Sequence, residues 1–180
     1  MEKLFTLIIV TENNIGLLNN VTVVFTRRKL NIRSITASES KLKDIYSYTI
    51  VLKCSDELIR KVAKQLEKIV GVFKVFVYEE HEVIHQELAL YKLAVTVIQD
   101  GIDFEKIVRK HNARILNIEK EYILIEKTGH KSDTQALLED LQPFGVLQFI
   151  RSGRVAMAKP MKPLEEHLRE KEEAFEYSYQ

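Results

Sequence analysis

The first quarter of the chain changes its hydrophobic pattern twice. Residues 4–10 are almost all apolar, which is typical of a strand buried on both faces. From Gly16 the spacing becomes helical, with one apolar side formed by Leu17, Leu18, Val21, Val24 and Phe25. Residues 31–39 and 45–53 then alternate apolar and polar positions as two strands do. The pattern therefore predicts the order strand, helix, strand, strand.

A second amphipathic helix follows these strands. Ser55 or Asp56 is placed to cap its start, and its apolar side is formed by Leu58, Ile59, Val62, Ala63, Leu66, Ile69 and Val70. Gly71 stands where the end of a helix favours a left-handed residue, and residues 72–78 are predicted to form a fourth strand. The order βαββαβ predicts a ferredoxin-like module with an antiparallel sheet.

The second half of the chain repeats this order of elements. Its predicted elements are a strand at 88–98, a helix at 103–111, strands at 113–119 and 122–129, a helix at 132–141 and a strand at 145–153. Ser132 or Asp133 is expected to cap the later helix. We therefore predict an α+β protein made of two ferredoxin-like βαββαβ modules with antiparallel sheets.

Domain boundaries follow from these patterns. Residues 1–80 are predicted as the first domain, 81–87 as a linker and 88–158 as the second domain. Residues 159–180 contain prolines and many charges but few apolar anchors. A lone helix there would be marginal, so we expect a charged, mobile tail.

Composition narrows the classes of function. The chain has 27 basic and 26 acidic residues, a net charge of +1, which gives no reason to expect nucleic acid or a membrane as a partner. Cys54 is the only cysteine, so an intrachain disulfide and a cysteine metal cluster are excluded. The apolar stretch at the N-terminus is interrupted by Thr6 and lacks a cleavage site, so we expect a cytoplasmic protein.

Residues 81–85, HEVIH, match the zinc signature H-E-x-x-H. On a helix, His81 and His85 would share one face and bind zinc, with Glu82 as the general base. However, no helical stripe surrounds them, and on an extended chain the two histidines would be about 13 Å apart. We therefore interpret them as linker histidines and predict no metal site.

Other chemical motifs are sparse. The sequence contains no nucleophile elbow, Walker loop or G-x-G-x-x-G, so no catalytic residue is predicted. Cys54 is interpreted as a buried structural thiol. The basic triplet Arg27, Arg28 and Lys29 is interpreted as a helix end, where positive charge complements the helix dipole, with a phosphate site as the alternative.

The segment ENNIGLL at 12–18 indicates a binding site. A helix start offers unpaired backbone N–H groups and a positive dipole end, which together favour a carboxylate. Gly16 lets a ligand approach the backbone closely. Asn13 and Asn14 can cap the helix or accept from an ammonium group, and Asn31 adds another amide. An α-amino acid carries both groups; the alternative is an ordinary cap and turn.

This segment also resembles a known family. Glu12-Asn13-Asn14-Ile15-Gly16-Leu17-Leu18 followed by Asn31-Ile32-Arg33-Ser34-Ile35-Thr36 resembles the ACT domain of the acetolactate synthase (acetohydroxyacid synthase) small, or regulatory, subunit. Segments 65–75, 86–95, 127–133 and 149–157 resemble later parts of the same family, so the resemblance spans about residues 3–158 in order.

The resemblance implies a non-catalytic regulatory subunit. Its ACT domain would bind a branched-chain amino acid, with valine the first candidate, at the interface of a homodimer. The effector-binding residues it implies are Asn13, Asn14, Ile15, Gly16, Leu17, Leu18, Asn31 and Thr36, with Asn31 coming from the partner chain. The family often has a small residue at the position of Leu17 and an acidic residue at that of Arg33.

The resemblance also implies which roles belong to this chain and which to the catalytic subunit. The second domain would support dimerisation and contact with the large, catalytic subunit of acetolactate synthase. That subunit would carry thiamine diphosphate, magnesium and FAD, and this chain would carry no cofactor. The chain would activate and feedback-regulate valine, leucine and isoleucine biosynthesis. The alternative is a free-standing amino-acid sensor that acts on another enzyme or regulator.

Overall fold

The computed structural model describes residues 2–98 and 102–159, which form two compact units. The first unit contains residues 2–84 and 156–159, and the second contains His85–Val155. Residues 160–180, predicted as most of the charged tail, lie outside the described residues.

The first unit has the predicted βαββαβ order. Its elements are β1 (Lys3–Glu12), α1 (Leu17–Arg27), β2 (Ile32–Glu39), β3 (Ile45–Cys54), α2 (Asp56–Leu66) and β4 (Val72–Glu79). The strands lie in the order β2-β3-β1-β4, and each neighbouring pair is antiparallel. Leu17, Val21 and Phe25 of α1 and Ile59, Val62 and Leu66 of α2 pack with the sheet in one core, as their helical spacing predicts.

Strand register places the start of α1 and the start of β2 at opposite ends of this sheet. Glu12, where β1 ends, pairs with Ile45. Ile32, where β2 begins, pairs with Leu52, which in turn pairs with Phe5. The seven residues from Phe5 to Glu12 span about 24 Å of strand. Within one chain, therefore, Asn31 cannot reach the loop that precedes α1.

The second unit has the same plan, and its sheet includes one additional strand. The first two residues of β5 and the last three of β9 belong to the first unit. Its elements are β5 (Val83–Ala94), α3 (Ile102–Lys110), β6 (Arg114–Ile118), β7 (Tyr122–Gly129), α4 (Lys131–Leu141), β8 (Val146–Arg151) and β9 (Val155–Ala158). The strand order is β6-β7-β5-β8, and β9 pairs with β5. Tyr91, Leu93, Ile123 and Ile125 form the centre of a separate core. The predicted α+β class with two antiparallel modules is confirmed.

Two helix boundaries differ from the prediction. α2 ends at Leu66, because residues 67–70 form a turn, and Gly71 adopts a φ of +88° in that turn rather than at the helix end. α4 is capped two residues before the earlier of the two predicted caps: His130 is the N-cap, and the Asp133 carboxylate accepts the His130 backbone N–H at 2.9 Å. Asp133 therefore lies inside the first turn and binds back to the N-cap residue, instead of capping the helix itself.

The segment predicted as a linker is largely structured. Glu80–Glu82 form a 3₁₀ turn, and β5 begins at Val83, so the helix that a zinc signature needs is replaced by turn and strand. His81 lies on the turn, whereas His85 is buried in β5, with its Nε2 3.1 Å from Nδ1 of His130. The start of β5 was not predicted, because the segment contains many polar residues although its burial alternates as in a strand.

Candidate functional site

The loop between β1 and α1 ends at a helix start that no side chain caps. Gly16 is the N-cap of α1 and adopts the left-handed conformation, with a φ of +84°. Neither Asn13 nor Asn14 caps the helix, so the structure excludes the first of the two roles predicted for them. The first turn contains no acidic residue. Because the left-handed region favours glycine, Gly16 lets the chain turn sharply here and leaves the helix end bare.

Two backbone amides at this helix start have no internal acceptor. Leu17 N–H donates to the Asn14 carbonyl at 3.2 Å, and Asn20 N–H donates to the Gly16 carbonyl at 3.1 Å. Within the described residues, the N–H groups of Leu18 and Asn19 have no acceptor. They point out of the positive end of the helix dipole, which is the arrangement that binds carboxylates and phosphates.

Neighbouring turns hold the loop in place. Asn13 N–H donates to the Asp44 carbonyl at 3.0 Å, and Glu12 N–H donates to the Gly71 carbonyl at 2.8 Å. The Asn14 side-chain N–H₂ donates to the Glu12 carboxylate, so the oxygen of the same amide remains an available acceptor. The loop is thus fixed before any ligand arrives, which lowers the entropic cost of binding.

The apolar residues of the loop divide into two groups. Ile15 is fully exposed and Leu18 is 39% exposed, so both offer apolar surface beside the bare amides. Leu17 is 3% exposed and packs in the core of the first unit. A Cβ placed on Gly71 would lie 3.1 Å from Leu17 Cδ2, so the turn before β4 closely supports this side chain. The isobutyl group of Leu17 therefore points away from the exposed loop.

The remaining predicted site residues lie elsewhere. Asn31 is exposed immediately before β2, at the far end of the sheet, and Thr36 lies midway along β2. β2 is an edge strand of the sheet. The Thr36 hydroxyl oxygen is inaccessible to solvent and, among the described residues, has no hydrogen-bond partner. The structure brings Asn13–Leu18 together and leaves Asn31 and Thr36 on a strand edge.

The predicted effector-binding residues leave out four residues of this loop and its supports, although Glu12 belongs to the recognised segment. Glu12, Asp44 and Gly71 hold the loop, and Asn19 supplies one of the two bare amides. Asp44 has a φ of +61° and Gly71 one of +88°, a conformation that Asp and Gly tolerate, but their contacts with the loop arise from sheet pairing. No local signal in the sequence places them there.

Other kinds of site find little support in the described part of the chain. Residues 2–98 and 102–159 contain no group of three His, Cys, Asp or Glu side chains arranged to hold a metal ion. Cys54 is buried, as predicted, and its burial raises the pKa of the thiol, which lowers its reactivity. None of the helices in these residues has the length and apolarity to cross a bilayer.

Two βαββαβ units in tandem, the first with a bare helix start after its first strand, define a protein built from ACT-like domains. Residues 7–74 match the family described as "AHAS small subunit-like ACT domain", and residues 86–160 match "Small subunit of acetolactate synthase". The chain belongs to the acetolactate synthase small-subunit family. It is therefore a regulatory subunit rather than the subunit with the catalytic site.

Individual relatives agree with this assignment. The chain is 32% identical to the acetolactate synthase small subunit of Mycolicibacterium smegmatis over 86% of its own length and 90% of that protein. It is 30% identical to the small subunit of Bacillus subtilis, over 88% and 91%. The crystal structure of the small subunit from Thermotoga maritima superposes with a TM-score of 0.80 at 28% identity, covering 89% of this chain and 99% of that one.

Proposed function

We propose that this regulatory subunit binds a free branched-chain amino acid, valine first, at the bare start of α1. The observation that carries the proposal is the pair of N–H groups of Leu18 and Asn19 that have no acceptor in the described residues. The amino acid's carboxylate would accept from both. The Asn14 amide oxygen and the Glu12 carboxylate lie on the same loop and would accept from its ammonium group.

The exposed apolar residues of the loop support the choice of an apolar amino acid. Ile15 and Leu18 expose their side chains beside the amides and would cover an isopropyl or isobutyl group. Burying such a group gains roughly 1.5–3 kcal/mol. A polar or charged effector would forfeit that gain. Ile15, which is fully exposed in the single chain, is the residue with most to gain from a bound ligand or a second subunit.

Strand register supports a site that two chains complete. Since Asn31 and the α1 loop lie at opposite ends of one sheet, Asn31 can only join the site from another chain. A two-fold axis beside the β2 edge would run two β2 strands antiparallel and bring each Asn31 to the loop end of its partner. Thr36 would lie near that axis, where its buried hydroxyl can find a partner.

Effector binding at such an interface provides a route to regulation. A ligand held by two chains stabilises one arrangement of the dimer, and regulation requires such differential binding. We propose that residues 1–80 act as this sensor, while residues 88–158 support dimerisation and contact with the catalytic subunit in the cytoplasm. Thiamine diphosphate, magnesium and FAD belong to that subunit in this proposal, and this chain binds none of them.

Co-purification with the candidate catalytic subunit tests the function as a whole. We expect a stable complex, higher turnover of pyruvate than the catalytic subunit shows alone, and a change in that turnover when valine is added. A chain that binds valine but neither associates with the catalytic subunit nor changes its activity would instead be a free-standing sensor. A chain that does neither would contradict both functions.

A further inference from the structure

The outer surface of α1 and α2 carries a cluster of exposed cations outside the proposed effector site. We call Arg27, Arg28, Lys61, Lys64 and Lys68 the basic helical face. The three lysines recur along one side of α2 and its C-terminal turn. Arg28 Nε donates to Gln65 Oε1 at 3.0 Å, which ties the end of α1 to α2. The basic triplet noted in the sequence is thus part of a larger surface.

Most of these charges are not neutralised within the chain. Lys61 lies 2.5 Å from the Glu57 carboxylate, but in the described residues no carboxylate lies within ion-pair distance of Arg27, Lys64 or Lys68. By contrast, Lys3 and Lys110 each have a carboxylate oxygen 2.8 Å or less away. Because the whole chain has a net charge of only +1, the positive potential of this face is local.

Two adjacent depressions lie on the basic helical face. One of about 430 Å³ is lined by Arg28, Gln65 and the three lysines. The other, of about 320 Å³, shares Gln65 and Lys68 and has an apolar wall formed by Val23, Val24 and Ile69. The face therefore offers cationic and apolar recognition side by side, in an open groove between two helices.

The composition of this surface favours a polypeptide over a small anion. The cations extend from the end of α1 along α2, and the apolar wall lies in the depression beside them. A ligand that fills both depressions therefore needs several negative charges and an apolar group, and an acidic chain segment supplies both. The neighbouring apolar wall would receive a single aliphatic or aromatic side chain of the same segment.

We infer that the basic helical face is the docking surface for an acidic segment, with one apolar anchor, of the catalytic subunit. This inference rests on the proposed association with the catalytic subunit, and it adds a contact on the first unit to the contact proposed for residues 88–158. Complementary charge raises the association rate and makes binding depend on salt. An ACT unit that contacts the catalytic subunit directly would transmit the effector state without relying on the second domain.

The test compares two double variants of the full-length chain. K64E/K68E reverses two charges on the basic helical face. K43E/K53E makes the same change in net charge at two exposed lysines of the first unit that lie outside this face. The affinity of each chain for the candidate catalytic subunit is measured at several salt concentrations, and circular dichroism verifies that both variants are folded. We expect K64E/K68E to bind about tenfold more weakly at low salt, with a smaller salt dependence, and K43E/K53E to bind as the unmodified chain does.

The alternative outcomes are distinguishable. If K64E/K68E binds with unchanged affinity and salt dependence, the docking inference is wrong and the proposed function stands. If the unmodified chain does not bind the catalytic subunit, the proposed function and the docking inference both fail. If K64E/K68E changes the oligomeric state of the chain alone, as measured by light scattering, the occupant of this face is a second copy and the inference is wrong.

Discussion

The starts of α1 and α4 differ although both helices have eleven residues and both follow a strand of a βαββαβ unit. At α4, the Asp133 carboxylate lies in the first turn and accepts the His130 N–H. At α1, Gly16 supplies no side chain and the first turn contains no acid. The start of α4 carries its own negative charge, and the start of α1 carries none.

This difference supports the proposal that the effector binds at α1. An acid in the first turn complements the positive end of the helix dipole and stabilises the helix. α2 follows the same rule as α4, because Ser55 Oγ accepts the Leu58 N–H at 3.3 Å and Asp56 and Glu57 occupy its first turn. At α1 this stabilisation is missing, and an external carboxylate would supply it.

The largest expected effect comes from placing a carboxylate at α1. Gly16→Asp should abolish valine binding, since the new charge competes with the effector carboxylate for the same amides and repels it. Isothermal titration calorimetry measures the affinity. Gly145→Asp is the matched control in the second unit, because Gly145 also has a positive φ, of +75°, and open space around its Cβ position. Unchanged affinity in Gly16→Asp would refute the site.

Gly71→Ala should loosen the support beneath α1. The φ of +88° alone costs a non-glycine residue about 1–3 kcal/mol. The new methyl group would also lie 3.1 Å from Leu17 Cδ2 and displace the start of the helix. Urea denaturation should show a larger loss of unfolding free energy for Gly71→Ala than for Gly145→Ala. At Gly145 the positive φ is the only cost, because nothing lies within 4 Å of the new methyl group. Equal losses would mean that Leu17 accommodates the methyl group.

Tyr91→Phe should lower the stability of the second unit at the start of α4. The Tyr91 hydroxyl donates to the Thr134 carbonyl near the start of α4 at 2.6 Å, and leaving that buried acceptor unpaired costs about 1–3 kcal/mol. Burial raises the pKa of Tyr91 to about 12. The protonated phenol therefore stabilises the fold fully below pH 10, and this contribution is lost as the pH rises towards 12. Urea denaturation across that range should show a steeper decline in the unmodified chain than in Tyr91→Phe.

Asp133→Ala should make the start of α4 resemble that of α1, since neither helix would then have an acid in its first turn. Removing an acceptor that caps a helix costs about 1 kcal/mol. The exposed helix start should then gain a weak affinity for small anions such as sulfate, which chemical shifts of the nearby amides would report. A variant as stable as the unmodified chain would show that the Asp133 contact does not stabilise α4.

Asn19→Asp should do the reverse at α1, with the smallest effect on stability. An acid in the first turn should stabilise the free chain by about 0.3–1 kcal/mol. The same charge should weaken valine binding, so stability and affinity should change in opposite directions. Thermal unfolding and calorimetry on the same sample measure both. A change of both in the same direction would contradict the proposal that the effector occupies this helix start.

The elements that depend on local chemistry could be predicted from the sequence. The order of both modules and the Ser55 cap follow from hydrophobic spacing and cap chemistry, and Gly71 has the predicted left-handed conformation. The residues that depend on distant pairing could not be predicted. The contact of Asp44 with Asn13, that of His85 with His130, and the strand β9 all join segments that lie far apart in the sequence or lack a periodic pattern.

The site was partly predictable for the same reason. The motif at 12–18 identified the loop and its glycine, because a sharp turn into a helix has a recognisable composition. It did not show that Leu17 points into the core, or that Asn19 contributes an amide. The separation of Asn31 from the loop also required the strand register, which no single segment encodes.

A titration of the ¹⁵N-labelled chain with valine tests the central claim most directly. If the carboxylate binds at the start of α1, the backbone amide signals of Leu18 and Asn19 should shift downfield further than those of α2 and α4, and both should saturate with one affinity. Saturable binding that shifts signals elsewhere and leaves these two amides unchanged would contradict the account.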